Sequence, residues 1–255
     1  MVTVIFPAAG VGKRMQAGMN KVFIALGGVP ILIRTLLKYS ACDEIDQMVV
    51  VVADYEVEFV RGMLKKIQGR KPYKVVAGGN ERQYSVLNGI QSVSGSDEDI
   101  MLVHDAARPF VSNDVIVETI RGAQQYGGAI AGVPAKNTIK ICDRMGMVEE
   151  TPDRSILWEI QTPQGFKRGL LLEANDKALA DGFLGTDDAS LVERMGHSVY
   201  VVKSDYRNIK ITTPEDLLIG EAFLKDCPEP LAVANEQVMP EIIQMINDKW
   251  LRERF

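Results

Sequence analysis

Short runs of β-branched and aliphatic residues alternate with longer segments of helical periodicity through the first half of this 255-residue chain. This alternation predicts βαβ units and a mostly parallel sheet, because two parallel neighbouring strands need a long crossover between them. The predicted strands are almost continuously apolar, as is typical of strands that helices cover on both faces. They comprise residues 3–6, 47–53, 73–79 and 99–105.

Segments with apolar residues at helical spacing connect these strands and follow the last of them. The first segment carries Pro30, which suits the first turn of a helix. Successive crossovers of one hand place helices on both faces, so we predict an α/β fold with a doubly wound, Rossmann-like sheet. The predicted crossover helices comprise residues 29–40, 56–67, 81–93 and 113–126.

The pattern changes after Gly128, where short extended pieces are separated by Pro, Lys-Asn and Met-Gly. These pieces predict an antiparallel excursion, a protruding β-hairpin arm at about residues 134–154. One domain is expected over residues 1–226. We predict that it is completed by helices at 168–181, 187–195 and 214–226 and by a strand at 198–204.

The remaining residues, 227–255, lie beyond this domain. Their first part, 227–240, contains several prolines and predicts a linker. The second part, 241–255, has apolar residues at roughly helical spacing and predicts an amphipathic C-terminal helix. We expect that helix to pack on the body of the domain or on a second subunit.

Composition narrows the class of protein. A formal net charge of −5 argues against broad nucleic-acid binding, and no apolar run reaches the ~18–20 residues that a membrane-spanning helix needs. The first residues lack the basic flank and apolar stretch of a signal peptide. Cys42, Cys142 and Cys227 are odd in number and far apart, which supports neither a disulfide framework nor a thiolate metal site. We therefore expect a cytoplasmic protein without nucleic-acid or membrane partners.

The first strand runs directly into the loop PAAGVGKRM, residues 7–15. Small residues there let backbone N–H groups approach a polyphosphate, and adjacent cations supply countercharge, although a tight turn that merely needs glycine is the alternative. A P-loop would need four residues between Gly10 and the Gly-Lys pair, and a dinucleotide fingerprint would need a small residue in place of Met15, so both are disfavoured. The candidate residues are Pro7, Ala8, Ala9, Gly10, Gly12, Lys13 and Arg14.

Asp105 ends the apolar strand at 99–105. Its carboxylate is therefore expected at the carboxyl edge of the sheet, facing the glycine loop. Mg2+ binds one or two carboxylates together with phosphate oxygens and water, which makes Asp105 the candidate metal ligand. A helix cap or an ion pair with Arg108 is the alternative, and both roles are compatible. The side chain of His104 should point the opposite way, so we assign it a structural role.

Beyond the glycine loop, six segments form a series: AGGNERQYSV (77–86), HDAARPF (104–110), NTIK (137–140), DRSILWEIQTPQGF (153–166), TDDASL (186–191) and RNIKITTPEDL (207–217). In this order and spacing the chain resembles the 2-C-methyl-D-erythritol 4-phosphate cytidylyltransferases, nucleotidyltransferases of the non-mevalonate isoprenoid pathway, over about residues 1–226. The resemblance implies that CTP donates a cytidylyl group to 2-C-methyl-D-erythritol 4-phosphate and that pyrophosphate is released.

The resemblance also implies roles for individual residues. Arg14, Lys21 and Lys210 stabilise the charge that grows at the α-phosphate, and Asp105 holds Mg2+ or another divalent metal. These roles require Lys21 and Lys210 to face one pocket. The residues implied to bind the nucleotide or the polyol phosphate, besides those of the loop, are Gly78, Gly79, Asn80, Ser85, Ala106, Arg108, Thr138, Arg154 and Thr186.

In the family the arm embraces a second subunit. This implies a homodimer in which Thr138 and Arg154 reach the neighbour's polyol-phosphate site. Two residues depart from the common family pattern, since Asn80 stands where relatives often have aspartate and Asn20 where many have proline. Without that proline, the turn at Lys21 is predicted to be less rigid.

Two other functions stay open. A ribitol 5-phosphate cytidylyltransferase shares the loop and a DAARP-like segment, whereas the segments at 154–164 and 186–191 favour the erythritol derivative. A non-catalytic nucleotide-binding protein could keep the glycine loop while losing the cations, yet this chain has Arg14, Lys21 and Lys210. Turnover of the two polyol phosphates and release of pyrophosphate separate the three hypotheses.

Overall fold

The computed structural model describes residues 1–10, 19–226 and 233–252. Its strands are β1 (Val2–Pro7), β2 (Ala25–Leu26), β3 (Val29–Pro30), β4 (Gln47–Val52), β5 (Tyr73–Ala77), β6 (Ile100–Val103), β7 (Gly128–Pro134), β8 (Ile141–Cys142), β9 (Val148–Glu150), β10 (Trp158–Lys167) and β11 (Tyr200–Lys203). Its helices are α1 (Ile31–Ser40), α2 (Val57–Lys65), α3 (Arg82–Gln91), α4 (Asn113–Tyr126), α5 (Arg168–Ala180), α6 (Asp188–Glu193), α7 (Pro214–Asp226) and α8 (Val233–Arg252). Short 3-10 helices occur at Lys21–Phe23, Asp54–Glu56 and Arg154–Ile156.

Seven strands form the central sheet, in the order β11-β7-β10-β6-β1-β4-β5. The four strands predicted in the first half of the chain are β1, β4, β5 and β6, and they pair in parallel with one another. Strand β11 also pairs in parallel with β7. The mostly parallel, doubly wound α/β fold predicted from the sequence is therefore confirmed.

Strand β10 is the exception to the parallel arrangement, because it lies antiparallel between β6 and β7. It carries the chain back from the arm into the middle of the sheet, where residues 161–166 are buried. Helix α5 begins directly after it. The segment at 153–166 thus links the arm to the centre of the fold.

The two faces of the sheet bury alternate side chains of each strand. Val4 and Phe6 pack on the side of α1, α2, α4 and α8, whereas Ile5 packs on the side of α3, α5 and α6. Because side chains alternate along a strand, an uninterrupted apolar strand supplies both cores at once. This is why the predicted strands show no polar period.

A two-stranded antiparallel hairpin, β8 with β9, extends between β7 and β10. Every residue from 136 to 151 is exposed. The structure therefore has the protruding arm that the sequence predicts at about 134–154.

Helix α8 begins earlier than the sequence predicts. The sequence predicts a linker over 227–240, but residues 233–240 are helical and Pro240 lies inside the helix, whereas residues 227–232 of that predicted linker lie outside the described residues. Met239, Ile242, Ile246 and Trp250 are spaced three or four residues apart and bury one face of α8 in the core on the α1 side. This packing outweighs the unfavourable effect of an internal proline. In the described part of the chain, α8 and the other helices lack the combination of length and apolar character that crossing a bilayer requires.

Candidate active site

A cavity of about 380 Å³ opens at the carboxyl edge of the sheet. It lies where the loops after β1, β5 and β6 meet, and the segment after β11 forms part of its wall. Lys21 and Lys210 both line it, as their predicted roles require. The predicted site residues in its lining are Pro7, Ala8, Ala9, Gly10, Lys21, Gly79, Asn80, Ser85, Asp105, Ala106 and Lys210.

The structure separates the other predicted residues from this cavity or does not describe them. The lining also contains residues that were not among the predicted site residues, namely Asn20, Val22, Glu81, Arg82, Ala107 and Thr212. The predicted residues outside the lining are Gly78, Arg108, Thr138, Arg154 and Thr186. Gly12, Lys13 and Arg14 lie outside the described residues.

The turn that carries Lys21 is fastened by the side chain of Asn20. The buried Asn20 amide donates to the Ala8 carbonyl at 2.7 Å, and its carbonyl oxygen accepts from the Val22 N–H at 3.3 Å. The same amide nitrogen lies 3.4 Å from the Glu56 carboxylate. These hydrogen bonds constrain the turn in place of a proline ring, and the lower rigidity expected from the sequence stays a prediction.

The side chain of Lys21 connects two parts of the chain that form the cavity wall. Its ammonium group donates to the carbonyl of Ile211 at 2.8 Å, and the Ile211 N–H donates to the Ala107 carbonyl at 2.8 Å. These two bonds tie the segment after β11 to the Lys21 turn and to the loop after β6. Residues almost 200 positions apart in sequence thereby form one wall of the cavity.

Asp105 is the acidic centre of the site. Its carboxylate lies 2.7 Å from the Lys210 ammonium, 3.5 Å from the Arg82 guanidinium and 3.8 Å from that of Arg108. Burial by itself would raise the pKa of Asp105, but these three cations outweigh it and hold that pKa well below its usual range. The carboxylate is therefore ionised at neutral pH, and it combines an ion pair with Arg108 and a place in the cavity lining.

Arg82 is the residue that the sequence interpretation missed. Its guanidinium bridges Asp105 and the almost fully buried Asp188, with 2.8 Å between Arg82 Nη2 and Asp188 Oδ2. Burial works against the charge of Arg82, but the two carboxylates raise its pKa above the ordinary value. Burial raises the pKa of Asp188, and Arg82 opposes that rise. Both residues belong to segments quoted for the resemblance, so a search for opposite charges within those segments could have found the pair.

Glycine is required where the loop after β5 approaches its neighbours. A Cβ atom on Gly78 would come within 2.8 Å of the Ala9 side chain and 2.7 Å of the Ser85 hydroxyl. On Gly79 it would come within 2.5 Å of Tyr84. The Gly79 N–H instead donates to the Ser85 hydroxyl at 3.1 Å. Gly78 thus lies behind the residues that line the cavity, whereas Asn80 lines the cavity and is exposed.

Arg108 lies behind Asp105. Its side chain is largely buried, and Nη1 donates to the carbonyl of Asn208 at 2.6 Å. Burial lowers the pKa of Arg108, and the neighbouring Asp105 opposes that shift. Within the single chain, this residue supports Asp105 and the segment before Lys210.

Thr138, Arg154 and Thr186 are exposed. Thr138 and Arg154 lie in the arm region, where Arg154 Nη1 donates to the carbonyl of Lys136 at 2.9 Å. Thr186 precedes α6. The fold of one chain does not bring these three residues into the cavity.

His104 is fully buried beneath the site, as its predicted structural role requires. Its ring nitrogens lie 3.1 Å from the Thr162 hydroxyl and 3.1 Å from the Arg108 carbonyl, and its ring packs against Phe6 and Tyr39. Burial lowers the pKa of His104 to about 3, so the ring is neutral at physiological pH. Through these two contacts, the His104 ring links the loop after β6 to strand β10.

Comparison with known proteins agrees with this geometry. The family model described as 2-C-methyl-D-erythritol 4-phosphate cytidylyltransferase matches residues 2–226. Two enzymes of that name are similar in sequence. The one from Caldanaerobacter subterraneus is 47% identical over 225 residues, covering 88% of this chain and 99% of the relative, and the one from Geotalea uraniireducens is 48% identical over 226 residues, covering 88% and 97%.

Solved structures show the same fold. The 4-diphosphocytidyl-2C-methyl-D-erythritol synthase of Anaerococcus prevotii superposes with a TM-score of 0.79 at 33% identity, covering 88% of this chain and 96% of that one. The 2-C-methyl-D-erythritol 4-phosphate cytidylyltransferase of Francisella tularensis gives a TM-score of 0.73 at 30% identity, covering 87% and 98%. The chain therefore belongs to the 2-C-methyl-D-erythritol 4-phosphate cytidylyltransferase family.

Proposed function

We propose that this protein transfers the cytidylyl group of CTP to 2-C-methyl-D-erythritol 4-phosphate. A phosphate oxygen of the polyol forms a bond to the α-phosphorus of CTP, the bond from that phosphorus to the bridging oxygen of the leaving group breaks, and pyrophosphate departs with its electron pair. The nucleophile is already ionised at neutral pH, so no protein base is needed. Family membership supports this reaction, and the convergence of Lys21, Lys210 and Asp105 on one cavity carries the proposal.

The protein's main task is to gather two anions and to neutralise the charge that grows between them. Lys21 and Lys210 both line the cavity, and the Lys21 ammonium donates to the carbonyl of Ile211, the residue that follows Lys210. Two ammonium groups in one cavity suit a phosphorus at which negative charge grows in the transition state. Removal of one such donor from a preorganised site costs about 10²- to 10³-fold in kcat.

The residues present fit a divalent metal. Asp105 is ionised, lines the cavity and lies at the end of β6, and Mg2+ needs only one or two carboxylates when phosphate oxygens complete its shell. We propose that Asp105 holds Mg2+ or another divalent ion together with the triphosphate. When bound, such an ion neutralises phosphate charge and orients the leaving group. The Lys210 ammonium lies 2.7 Å from the Asp105 carboxylate and so would stand beside the phosphates that such an ion binds.

We propose that the cytosine base and ribose bind along the loop after β5. Gly79, Asn80 and Ser85 line the cavity there, and backbone groups of this loop can recognise the exocyclic amine and N3 of cytosine. A base contact made by backbone does not depend on whether residue 80 is Asn or Asp.

We further propose that the active protein is a homodimer built through the arm. A two-stranded hairpin is at best marginally stable by itself. Several large apolar residues of the arm region are nevertheless exposed: the exposed fraction is 86% for Met145, 68% for Met147 and 73% for Ile156. A second copy that covers them would bring Thr138 and Arg154 to a neighbouring polyol-phosphate site, where the planar guanidinium of Arg154 suits a phosphate.

We propose a cytoplasmic location on the basis of cysteine chemistry. Cys42 and Cys142 are free thiols in the structure, the first buried and the second exposed. Such thiols are typical of proteins from a reducing compartment.

A direct test incubates the full chain with CTP, Mg2+ and 2-C-methyl-D-erythritol 4-phosphate and measures pyrophosphate release and the mass of the product. We expect the cytidine diphosphate ester of the polyol. Ribitol 5-phosphate in a parallel reaction is the matched control, and faster turnover of it would favour the alternative transferase. CTP binding without any pyrophosphate would favour the non-catalytic hypothesis.

A further inference from the structure

Helix α8 lies outside the residues that the family model matches, 2–226, yet it packs against the turn that carries Lys21. Phe23, the last residue of that 3-10 turn, is 1% exposed. Its ring centroid lies 5.0 Å from that of Trp250 near the end of α8 and 5.6 Å from that of Phe59 on α2. The Phe59 and Trp250 rings are themselves 5.8 Å apart. These three rings form a cluster, which we call the aromatic brace.

Helix α8 contacts the rest of the domain along its whole length, and not only near its end, where Trp250 joins the aromatic brace. Near its start, the Asn235 side chain accepts from the Gln68 N–H at 2.9 Å and donates to the Gln68 carbonyl at 3.1 Å. One turn and a half further on, Glu241 pairs with Lys66 at 2.7 Å. Near its end, the Lys249 ammonium lies 5.3 to 5.6 Å from the ring centroids of Tyr55, Phe59 and Trp250.

Besides the bond from the Lys21 ammonium to the Ile211 carbonyl, two sets of contacts hold the turn that carries Lys21. On the cavity side, Asn20 hydrogen-bonds the carbonyl of Ala8 at 2.7 Å. On the core side, Phe23 is held between Phe59 and Trp250. The turn has two hydrogen bonds of its own helical type, from the Phe23 N–H to the Asn20 carbonyl at 3.0 Å and from the Ile24 N–H to the Lys21 carbonyl at 3.1 Å, and both lie within the turn, so neither ties it to another part of the fold. Its position depends on what packs against it.

We propose that α8 is a positioning element of the active site, in which Trp250 acts through Phe23 to hold Lys21 at the reacting phosphate. This inference rests on the proposed cytidylyl transfer for the role of Lys21, but the contacts that carry it do not. Displacement of a catalytic group by about 1 Å can cost on the order of 10²-fold in rate. Loss of the Trp250 ring would let Phe23 and its turn move into the vacated space.

The test compares Trp250→Ala and Trp250→Phe in the full chain. We expect Trp250→Ala to lower kcat at least about tenfold while the KM values for both substrates change by less than about threefold, because the lost contribution lies in the transition state. Trp250→Phe keeps a ring in the brace and should recover most of the activity.

Two control variants accompany the Trp250 variants. Leu251→Ala changes the exposed side of α8, and Leu171→Ala removes a fully buried side chain on the opposite face of the sheet. Both controls should keep the wild-type kcat in the folded protein.

A double variant distinguishes positioning from general weakening. In a Lys21→Met background, Trp250→Ala should cause little further loss of kcat, because the residue it positions is already absent. The same fold-loss in both backgrounds would overturn the proposal. If Trp250→Ala does not fold, Trp250→Leu is measured in its place with the same expectations.

Hydrogen exchange gives a readout that does not depend on the reaction. Amides of the Lys21 turn, 21–24, should exchange faster in Trp250→Ala than in Leu171→Ala at equal distance from their unfolding midpoints. Unchanged exchange there would overturn the proposal even if the wild-type protein is active. Wild-type protein that releases no pyrophosphate would instead contradict the proposed function and leave the exchange result to decide the role of α8.

Discussion

Replacing Asn20 by alanine tests whether its side chain holds the Lys21 turn in place. The buried Asn20 amide donates to the Ala8 carbonyl at 2.7 Å, and its carbonyl oxygen caps the turn through the Val22 N–H at 3.3 Å. The alanine variant deprives the buried Ala8 carbonyl of this donor, which costs about 1–3 kcal/mol. It also removes the cap, and loss of a helix cap costs about 0.5–2 kcal/mol. Because neighbouring contributions are not additive, we expect the free energy of unfolding to fall by about 2–4 kcal/mol.

The same substitution should slow the reaction. Without Asn20 the turn loses its hydrogen bond to the Ala8 carbonyl, and we expect the Lys21 ammonium to shift from the place proposed for the transferred phosphate. We expect kcat to fall by about 10- to 100-fold, since misplacement on the order of 1 Å has an effect of that size. Urea denaturation measures the stability, and steady-state pyrophosphate release at saturating substrates measures kcat.

Asn175→Ala is the matched control. Asn175 is fully buried in α5, on the opposite side of the sheet from the Lys21 turn, and its amide donates to the Leu171 carbonyl at 2.8 Å. It should lower the stability while leaving kcat within about twofold of the wild type. Equal losses of kcat in the two variants would refute the reasoning, and so would an Asn20→Ala protein with wild-type stability and wild-type kcat.

Five further outcomes follow from the site and the arm. Lys210→Met should lower kcat by about 10²- to 10³-fold with the fold retained, whereas Lys203→Met, at an exposed position of β11, should leave the steady-state rate unchanged; equal rates for the two would contradict the role of Lys210. Asp105→Asn should abolish binding of Mn2+ in the presence of CTP, measured by electron paramagnetic resonance, and retained binding would show that the metal lies elsewhere. Because surrounding cations hold the pKa of Asp105 below that of an unfolded chain, its ion pairs stabilise the protein fully above the unfolded pKa of about 3.9. The difference in unfolding free energy between wild type and Asp105→Asn should therefore stay constant from about pH 5 to 8 and shrink below about pH 4, and a difference that does not shrink between about pH 4 and pH 2 would argue against these ion pairs. Arg154→Ala should raise the KM for the polyol phosphate more than that for CTP, and equal changes would exclude the arm from substrate binding. Met147→Asp should yield monomers in sedimentation equilibrium, and an undiminished dimer would place the interface outside the hairpin.

Much of the fold could be predicted because it follows from local patterns. The strand that contains Val4 and Ile5 is apolar on both faces, and that property predicts a buried parallel strand without any knowledge of its neighbours. The place of Asp105 follows from the same reasoning, since a residue at the end of such a strand must lie at the carboxyl edge of the sheet.

Other features depend on contacts between distant segments. The bridge from Asp105 through Arg82 to Asp188 joins the loop after β6 to the starts of α3 and α6, and although these opposite charges occur in the family segments, the sequence does not show that the three side chains meet. The linker prediction failed for a similar reason, because Pro240 is unfavourable in a helix by local rules but lies in one whose buried face is stabilised by the core.

The sequence by itself therefore determined the βαβ order, the glycine loop, the strand end that carries Asp105 and the family segments, because each depends on residues close together in the chain. Only the tertiary structure decided which charges surround Asp105, what fastens the turn at Lys21 and where α8 docks. Those features arise from burial, which excludes water from Asp188 where Arg82 pairs with it and from the contact of Phe23 with Trp250, and so makes their interactions strong only after the chain has folded.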